Sequence, residues 1–124
     1  MKNRIRFALR VVDKIREVAP DICIDYKLPV VTENPLRGKG GLMINEAVEF
    51  AKILERSGVD MIHVGQANHT GNMNDTIPAM GTQPYCFMSK YTKQIKEAVS
   101  IPVSSVGRIV TPENAEALVE KWCL

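Results

Sequence analysis

The first part of the chain carries apolar residues at helical spacing. They fall on one stripe with charged residues largely opposite, and the stripe consists of Ile5, Ala8, Leu9, Val12 and Ile15. Apolar positions three and four residues apart predict an amphipathic helix over residues 3–18, with Arg16 among the residues on its solvent side. Pro20 and Asp21 then break the pattern.

Short β-branched runs alternate with further helical patterns along the rest of the chain. The runs predict strands at residues 22–28, 59–64 and 101–106. A helix is predicted after each strand: one with Asn45 as N-cap and Gly58 as its stop, one over residues 90–100, and one capped by Thr111 with Pro112 in its first turn. The polar loop over residues 65–84 is long enough to indicate a functional role.

This order of elements predicts an α/β fold with parallel strands, because helices of this size connect strands that run in the same direction. Three parallel strands cannot close a barrel, and helices on one side leave the other sheet face open, although parallel sheets are normally covered on both faces. We therefore expect residues 1–124 to form a single segment of a larger βα architecture. The alternative is a homo-oligomer that buries the open sheet face by association.

Composition narrows the function classes. The chain has 124 residues, 45% hydrophobic and 24% charged, with a net charge of +2. This is one globular domain without the basic footprint of a nucleic-acid-binding protein. No apolar run has the length of a membrane span, and the basic N-terminus lacks the features of a secretory signal, so a cytoplasmic protein is expected. The cysteines, Cys23, Cys86 and Cys123, match neither a disulfide framework nor a metal-site spacing.

A candidate phosphate site follows the third predicted strand. Ligands of parallel α/β proteins lie beyond the carboxyl ends of the strands, and Gly107 and Arg108 stand at such an end. Glycine permits close approach of an oxygen to the backbone, and arginine offers a charged fork to phosphate oxygens. The helix start at Thr111 adds backbone N–H groups and the positive end of a dipole. A tight turn with a surface arginine remains the alternative.

Polar residues at the ends of the other strands add further candidates. Lys27 shares a strand face with Asp25, so it either binds an anionic or polar ligand or forms a structural ion pair with that carboxylate. His63 lies inside the second strand, where a packed, hydrogen-bonded core histidine is favoured. His69 lies in the long loop and could donate a proton near neutral pH, or simply be solvated.

Three quoted stretches together resemble a known family. "NRIRFALRVVDKIREV…ICIDYKL", "GGLMINEAVEFAKILERSGVDMIHV" and "IKEAVSIPVSSVGRIVTPENAEALVE" are similar to the Old Yellow Enzyme family of flavin oxidoreductases. The stretch "TIPAMGTQPYCFMSKYTKQIKEAV" resembles the branch of NADH:flavin oxidoreductases and 2,4-dienoyl-CoA reductases. The resemblance implies an eight-stranded (β/α)8 TIM barrel that binds FMN. This chain would be part of it, three parallel strands with flanking helices, about strands five to seven.

The resemblance also implies roles for single residues. Gly107 and Arg108 match the Gly-Arg that holds the FMN phosphate. Lys27 stands where the family usually has an arginine near N1 and the C2 carbonyl of the flavin; lysine keeps that charge but loses the two-pronged geometry. His69, in "GQANH", approximately matches a histidine near the substrate that can assist protonation.

These expectations lead to three hypotheses. The first hypothesis is that the chain is part of an FMN-dependent oxidoreductase that uses NAD(P)H to reduce activated alkenes of the enoate or dienoyl-CoA type. Larger members of the family bind an iron–sulfur cluster, but the cysteine motif for that cluster is absent from this chain. Most of the barrel wall is absent as well, so the chain alone is expected to be incomplete as an enzyme. The second is an inactive fragment that folds by self-association. The third is a different phosphate-binding barrel enzyme, in which Lys27 would pair with a carboxylate.

Overall fold

A computed structural model describes residues 2–31, 41–65 and 83–122 of the chain. Helices and strands alternate, and every predicted helix and strand has a counterpart. In chain order the elements are α1 (Lys2–Val18), β1 (Asp25–Pro29), α2 (Ile44–Arg56), β2 (Met61–Gly65), α3 (Ser89–Lys96), β3 (Val103–Ser104) and α4 (Pro112–Trp122). None of the helices within these ranges is long and apolar enough to cross a membrane.

The strands form one sheet in the order β1-β2-β3, and both pairs are parallel. Lys27 pairs with His63, and His63 pairs with Ser104, so these three residues occupy one row across the sheet. The predicted fold class is confirmed: the chain has the three parallel strands and flanking helices of a partial (β/α)8 barrel. Because the strands are parallel, their carboxyl ends lie at the same edge of the sheet.

One face of the sheet carries the hydrophobic core. Leu28, Ile62, Val64 and Val103 lie on this face and are at most 1% exposed. The helices contribute further buried side chains of the cluster, which include Ile5, Val12, Ala47, Phe50, Ala51, Leu54 and Ile95. Burial of such side chains is worth about 1.5–3 kcal/mol each, so this face fixes the register of the strands.

The opposite face of the sheet is polar and open. Asp25 and Lys27 of β1 are exposed, and Met61 and His63 of β2 are partly exposed. The predicted alternation along β1, with Lys27 on one face and Leu28 on the other, is confirmed. The expectation of a packed core histidine is wrong for His63, because it lies on this open face and no described residue hydrogen-bonds its imidazole.

Several predicted boundaries differ from the structure by a few residues, and two of the differences have a clear physical cause. Helix α2 does not start at Asn45; Met43 is its N-cap, without a side-chain hydrogen bond, because Ile44 already packs against the core. Strand β3 covers only Val103–Ser104 instead of residues 101–106. Pro102 lacks a backbone N–H and so contributes only its carbonyl, which accepts a hydrogen bond from β2.

Arg16 joins the end of α1 to two turns at the amino end of the sheet. Its Nε and Nη2 donate to the Gly58 carbonyl at 2.9 and 2.5 Å, and its Nη1 donates to the carbonyls of Pro20 and Ile22 at 2.9 and 2.6 Å. Nη2 also forms an ion pair with Asp60. The prediction of a solvent-side Arg16 is therefore wrong, because unpaired backbone carbonyls at both turns attract the guanidinium across the end of the helix.

Asp60 completes this connection from the β2 side. Its carboxylate accepts the Ile24 N–H at 2.7 Å as well as the guanidinium of Arg16. The Ile24 hydrogen bond, and next the Arg16 hydrogen bond, lower the pKa of Asp60 below its ordinary value, because both favour the charged carboxylate. The start of β1 is thus tied to the start of β2 by one charged side chain.

The Asp60→Asn variant is expected to be less stable than the parent chain at neutral pH, and its free energy of unfolding is expected to fall less on acidification. The folded-state pKa of Asp60 lies below the unfolded value of about 3.9, so the stabilisation is present above about pH 4 and is lost as the pH falls through the lowered pKa. Urea unfolding of the 124-residue chain between about pH 7 and pH 2 measures this dependence. Asp13→Asn, on the exposed side of α1, is the control. An equal loss of stability in Asp60→Asn and the parent chain on acidification would contradict this role of Asp60.

Candidate functional site

The candidate site lies at the edge where the carboxyl ends of the strands meet. Strands β1, β2 and β3 end there at Pro29, Gly65 and Ser104. Two predicted site features belong to this edge: Lys27 on the open face of β1, and the turn of Gly107 and Arg108 that follows β3. The structure therefore brings the predicted cations to the end of the sheet where parallel α/β proteins bind ligands.

The side chain of Lys27 extends across the end of β2. A Cβ built on Gly65 would lie 3.4 Å from Lys27 Cε, so the lysine chain lies over a position that has no side chain. Lys27 forms no ion pair with any described residue, and Asp25 on the same face is not its partner. The structure therefore shows no ion pair between Lys27 and Asp25 or any other described carboxylate, and its ammonium is available to a ligand as far as the described residues go.

Gly107 occupies a position where no other residue fits. Its φ of +106° lies in the region that favours glycine. A Cβ at this position would lie 2.8 Å from both Met88 Cγ and Phe87 Cε1, inside the contact distance of carbon atoms. The sequence suggested glycine for the close approach of an oxygen; the structure adds a packing reason, because the turn is pressed against the segment that precedes α3.

Arg108 follows in a left-handed conformation, with a φ of 57°. Its Nη1 donates a hydrogen bond to the Gln83 carbonyl, and its Cζ lies 4.9 Å from the centroid of the Tyr85 ring. The Arg108 carbonyl in turn accepts the Cys86 N–H at 3.4 Å, and Cys86 is itself left-handed with a φ of 55°. Arginine and cysteine both adopt this conformation at a cost, so the two segments hold each other.

The backbone N–H groups of the turn at Arg108 differ from those at the start of the next helix, α4, because only the latter have acceptors within the described part of the chain. Among the described residues, neither Gly107 nor Arg108 donates its backbone N–H to another residue. The start of α4 is different: Thr111 Oγ1 accepts the Asn114 N–H at 3.2 Å. The pKa of Glu113 is lowered because its carboxylate accepts its own N–H and the Thr111 hydroxyl. The predicted Thr111 cap is confirmed, but the expectation of unpaired N–H groups at the helix start is wrong for Asn114 and Glu113.

Ser104 adds a hydroxyl to the row formed with His63 and Lys27. The Ser104 Oγ is buried, yet no described residue hydrogen-bonds it. A buried hydroxyl without a partner costs about 1–3 kcal/mol, and such groups are uncommon in native proteins. In this row Ser104 pairs with His63, which in turn pairs with Lys27. The open face therefore carries three polar groups in register.

Two of the residues considered in the sequence lie outside the described ranges. His69 is one, so its predicted role near a substrate stays a prediction; Cys123 is the other. Within residues 2–31, 41–65 and 83–122, no group of three or more His, Cys, Asp or Glu side chains is placed to hold a metal ion. The donors that the structure does bring to the edge are cationic groups, N–H groups and a hydroxyl.

This donor set fits a ligand with a phosphate at one end and a carbonyl-rich or anionic edge at the other. Arg108 and the adjacent backbone N–H groups suit a phosphate, because guanidinium and amide donors both match its oxygens. Lys27 provides a separate positive charge on the open sheet face. FMN has this division of groups, a phosphate at the end of the ribityl chain and carbonyls on the flavin ring.

Sequence reasoning did not find the segment that holds Arg108. Gln83 acts through its carbonyl, which no residue identity could indicate. Tyr85 contacts Arg108 through its ring, and Phe87 and Met88 close the space at Gly107. The available signals were the unusual length of the loop over residues 65–84 and the family resemblance of the stretch "TIPAMGTQPYCFMSKYTKQIKEAV", and neither assigned a role to these residues.

Comparison with known proteins gives the family context. The family model described as NADH:flavin oxidoreductase / NADH oxidase matches residues 1–122. The chain is 98% identical over 119 residues to a bilirubin reductase of Mediterraneibacter gnavus and 38% identical over 119 residues to a bilirubin reductase of Clostridium symbiosum. It is also 29% identical over 122 residues to an NADH oxidase of Thermoanaerobacter brockii.

These relatives are much longer than the chain. The matches cover 96%, 92% and 95% of this chain, but only 19%, 31% and 17% of the three relatives in the same order. The chain thus spans between about a sixth and a third of each, and what the whole relatives do is not established for this segment alone.

Gly107→Ala is expected to destabilise the chain by about 2–4 kcal/mol, because overpacking against Phe87 and Met88 adds to left-handed strain. Gly65→Ala is the matched control: its Cβ would meet only Lys27, at 3.4 Å, and the expected cost is below about 1 kcal/mol. Urea unfolding of the 124-residue chain compares the two variants. Equal stability of Gly107→Ala and the parent chain would show that the turn does not pack as described.

Proposed function

Because the chain belongs to the NADH:flavin oxidoreductase / NADH oxidase family, we propose that it forms one part of the FMN-binding barrel of an NAD(P)H-dependent alkene reductase. In that barrel the segment binds the phosphate end of FMN and one edge of the flavin ring. The observation that carries the proposal is the position of the Arg108 turn and of Lys27 at the same edge of a parallel sheet, where no described carboxylate pairs with the lysine.

The phosphate end is assigned to Gly107 and Arg108. The guanidinium of Arg108 still has donors in its plane after the hydrogen bond to Gln83, and planar donors suit two phosphate oxygens. The backbone N–H groups of the turn have no acceptor among the described residues, so they are available to the same phosphate. A phosphate bound there also compensates the positive charge of Arg108.

The ring edge is assigned to Lys27. FMN, when bound, supplies the redox group that accepts a hydride from NAD(P)H and passes it to the substrate. A positive charge beside N1 and the C2 carbonyl stabilises the negative charge of the reduced ring, and Lys27 has no competing carboxylate among the described residues. This also favours a flavin enzyme over another phosphate-binding barrel, in which Lys27 was expected to be paired.

The proposed substrate class is an activated alkene, with bilirubin as the first candidate. The names of the Mediterraneibacter gnavus and Clostridium symbiosum relatives support bilirubin. Bilirubin contains carbon–carbon double bonds conjugated with carbonyl groups, which is the chemical feature shared by enoates and dienoyl-CoA esters. Each turnover consumes one NAD(P)H and one proton, and adds two hydrogen atoms across one double bond. His69 is proposed to assist protonation.

A second, non-catalytic behaviour is proposed for the isolated chain. Its sheet face with Lys27 is open, and on α1 the side chains of Phe7 and Val18 are 79% and 67% exposed. Exposed apolar surface of this kind drives association. Sedimentation of the 124-residue chain is expected to show a dimer or larger species, and an activity assay of the same chain is expected to show no alkene reduction. A folded monomer in the sedimentation experiment would exclude self-association.

The proposed activity is tested in a full-length chimera, the Mediterraneibacter gnavus relative with this chain in place of its matching 119 residues. We expect it to bind FMN and to reduce bilirubin with NADH or NADPH, followed anaerobically by absorbance. Lys27→Met is expected to lower the rate about 10- to 100-fold, because a charge-assisted interaction worth about 1.5–3 kcal/mol is lost.

Two controls define the result. Lys27→Arg retains the charge and is expected to keep most of the rate, and Lys52→Met removes a lysine of α2 that pairs with Glu49 at the surface and should change nothing. Parallel assays with an enoate and a dienoyl-CoA ester separate the substrate classes. A chimera that folds but binds no FMN, or a Lys27→Met variant at the full rate, would refute the proposal.

A further inference from the structure

The phosphate-binding arginine of the proposed function is held by a second segment of the chain. Residues 83–88 lie directly before and at the start of α3, and they contact the turn after β3 at several points. The Gln83 carbonyl accepts from Arg108 Nη1, the Tyr85 ring lies 4.9 Å from Arg108 Cζ, and the Cys86 N–H donates to the Arg108 carbonyl at 3.4 Å. These contacts fix both the backbone and the guanidinium of one residue.

The geometry of these contacts leaves the guanidinium able to bind. The Arg108 guanidinium lies over the Tyr85 ring, and this cation–π contact does not occupy its N–H groups with a hydrogen-bond acceptor atom. The Gln83 carbonyl uses only Nη1, so the other edge keeps its donors. A free arginine side chain loses much rotational freedom when it binds an anion, and an arginine that is already held loses less.

We infer that Tyr85 is a positioning residue for phosphate binding: its ring holds the Arg108 guanidinium in the orientation that receives the phosphate of FMN. This inference rests on the proposed function, in which Arg108 binds that phosphate. Phe87 and Met88 lie close against Gly107 of the same turn, so Tyr85 acts on an anchored backbone. Its effect is specific to ligands that carry a phosphate.

A purely structural role of Tyr85 makes a different prediction. Tyr85 is 59% exposed, so its ring contributes little to the core. If it only stabilised the loop, its loss would weaken binding of every flavin equally. If it orients Arg108, its loss weakens binding of FMN and leaves riboflavin, which lacks the phosphate, unchanged.

The test measures the dissociation constants of FMN and riboflavin in the full-length chimera by flavin fluorescence, and compares their ratio between variants. We expect a strong preference for FMN in the parent chimera, and Arg108→Met should reduce the preference about 10- to 100-fold. Tyr85→Leu should reduce it about two- to fivefold, as expected for an exposed cation–π contact. Tyr85→Phe, which retains the ring, should keep the parent ratio.

A double variant separates positioning from any independent contact. If Tyr85 acts through Arg108, then Tyr85→Leu changes nothing further in the Arg108→Met background. Tyr91→Leu is the control, because among the described residues Tyr91 makes a tyrosine–cation contact with Lys90, at 4.8 Å, and not with Arg108. It should leave the FMN-to-riboflavin ratio unchanged.

The outcomes distinguish the two proposals. A parent chimera that binds FMN no better than riboflavin refutes the phosphate site of the proposed function, and the inference with it. A parent preference that falls in Arg108→Met but not in Tyr85→Leu overturns the inference alone. Two other results with Tyr85→Leu also overturn the inference. Equal weakening of FMN and riboflavin binding would indicate a structural role, and tighter FMN binding would indicate that the Tyr85 ring competes with the phosphate for Arg108.

Discussion

Parallel pairing of the three strands is the constraint on which the proposed site depends. Each strand is fixed in register by apolar residues on its core face, such as Leu28 and Val64, and all three carboxyl ends therefore lie at one edge. A shift by one residue would move Lys27 from the open face into the core, where an ammonium group cannot remain unpaired. The same hydrophobic contacts that stabilise the sheet thus place its charges.

Charged residues at the two ends of the sheet do different things. At the amino end, Arg16 and Asp60 satisfy each other and the surrounding backbone groups, so their charges are consumed by the fold. At the carboxyl end, Lys27 has no partner among the described residues and Arg108 is held by a carbonyl and an aromatic face. Neither of these contacts neutralises a positive charge, which leaves that end suited to an anionic ligand.

The sequence was sufficient for the fold class, because long amphipathic helices and β-branched runs depend on local periodicity. It also predicted Lys27, Gly107 and Arg108 as site residues, since glycine and cations at strand ends carry a chemical meaning of their own, and the structure places them at the carboxyl ends of the strands, where their binding role stays a prediction. It failed where a tertiary contact decides. Arg16 has the spacing of a solvent-side residue, yet carbonyl groups distant in sequence attract it, and the contact between Tyr85 and Arg108 joins two loops that no periodic pattern describes.

The central claim is that the Arg108 turn and Lys27 bind opposite ends of one flavin. A crystal structure of the full-length chimera with FMN tests it most directly. We predict that the phosphate accepts hydrogen bonds from the Arg108 guanidinium and from the backbone N–H groups of the turn, with the Lys27 ammonium beside the flavin ring. A phosphate bound elsewhere in the barrel, with Arg108 making only its contacts to Gln83 and Tyr85, would contradict the account.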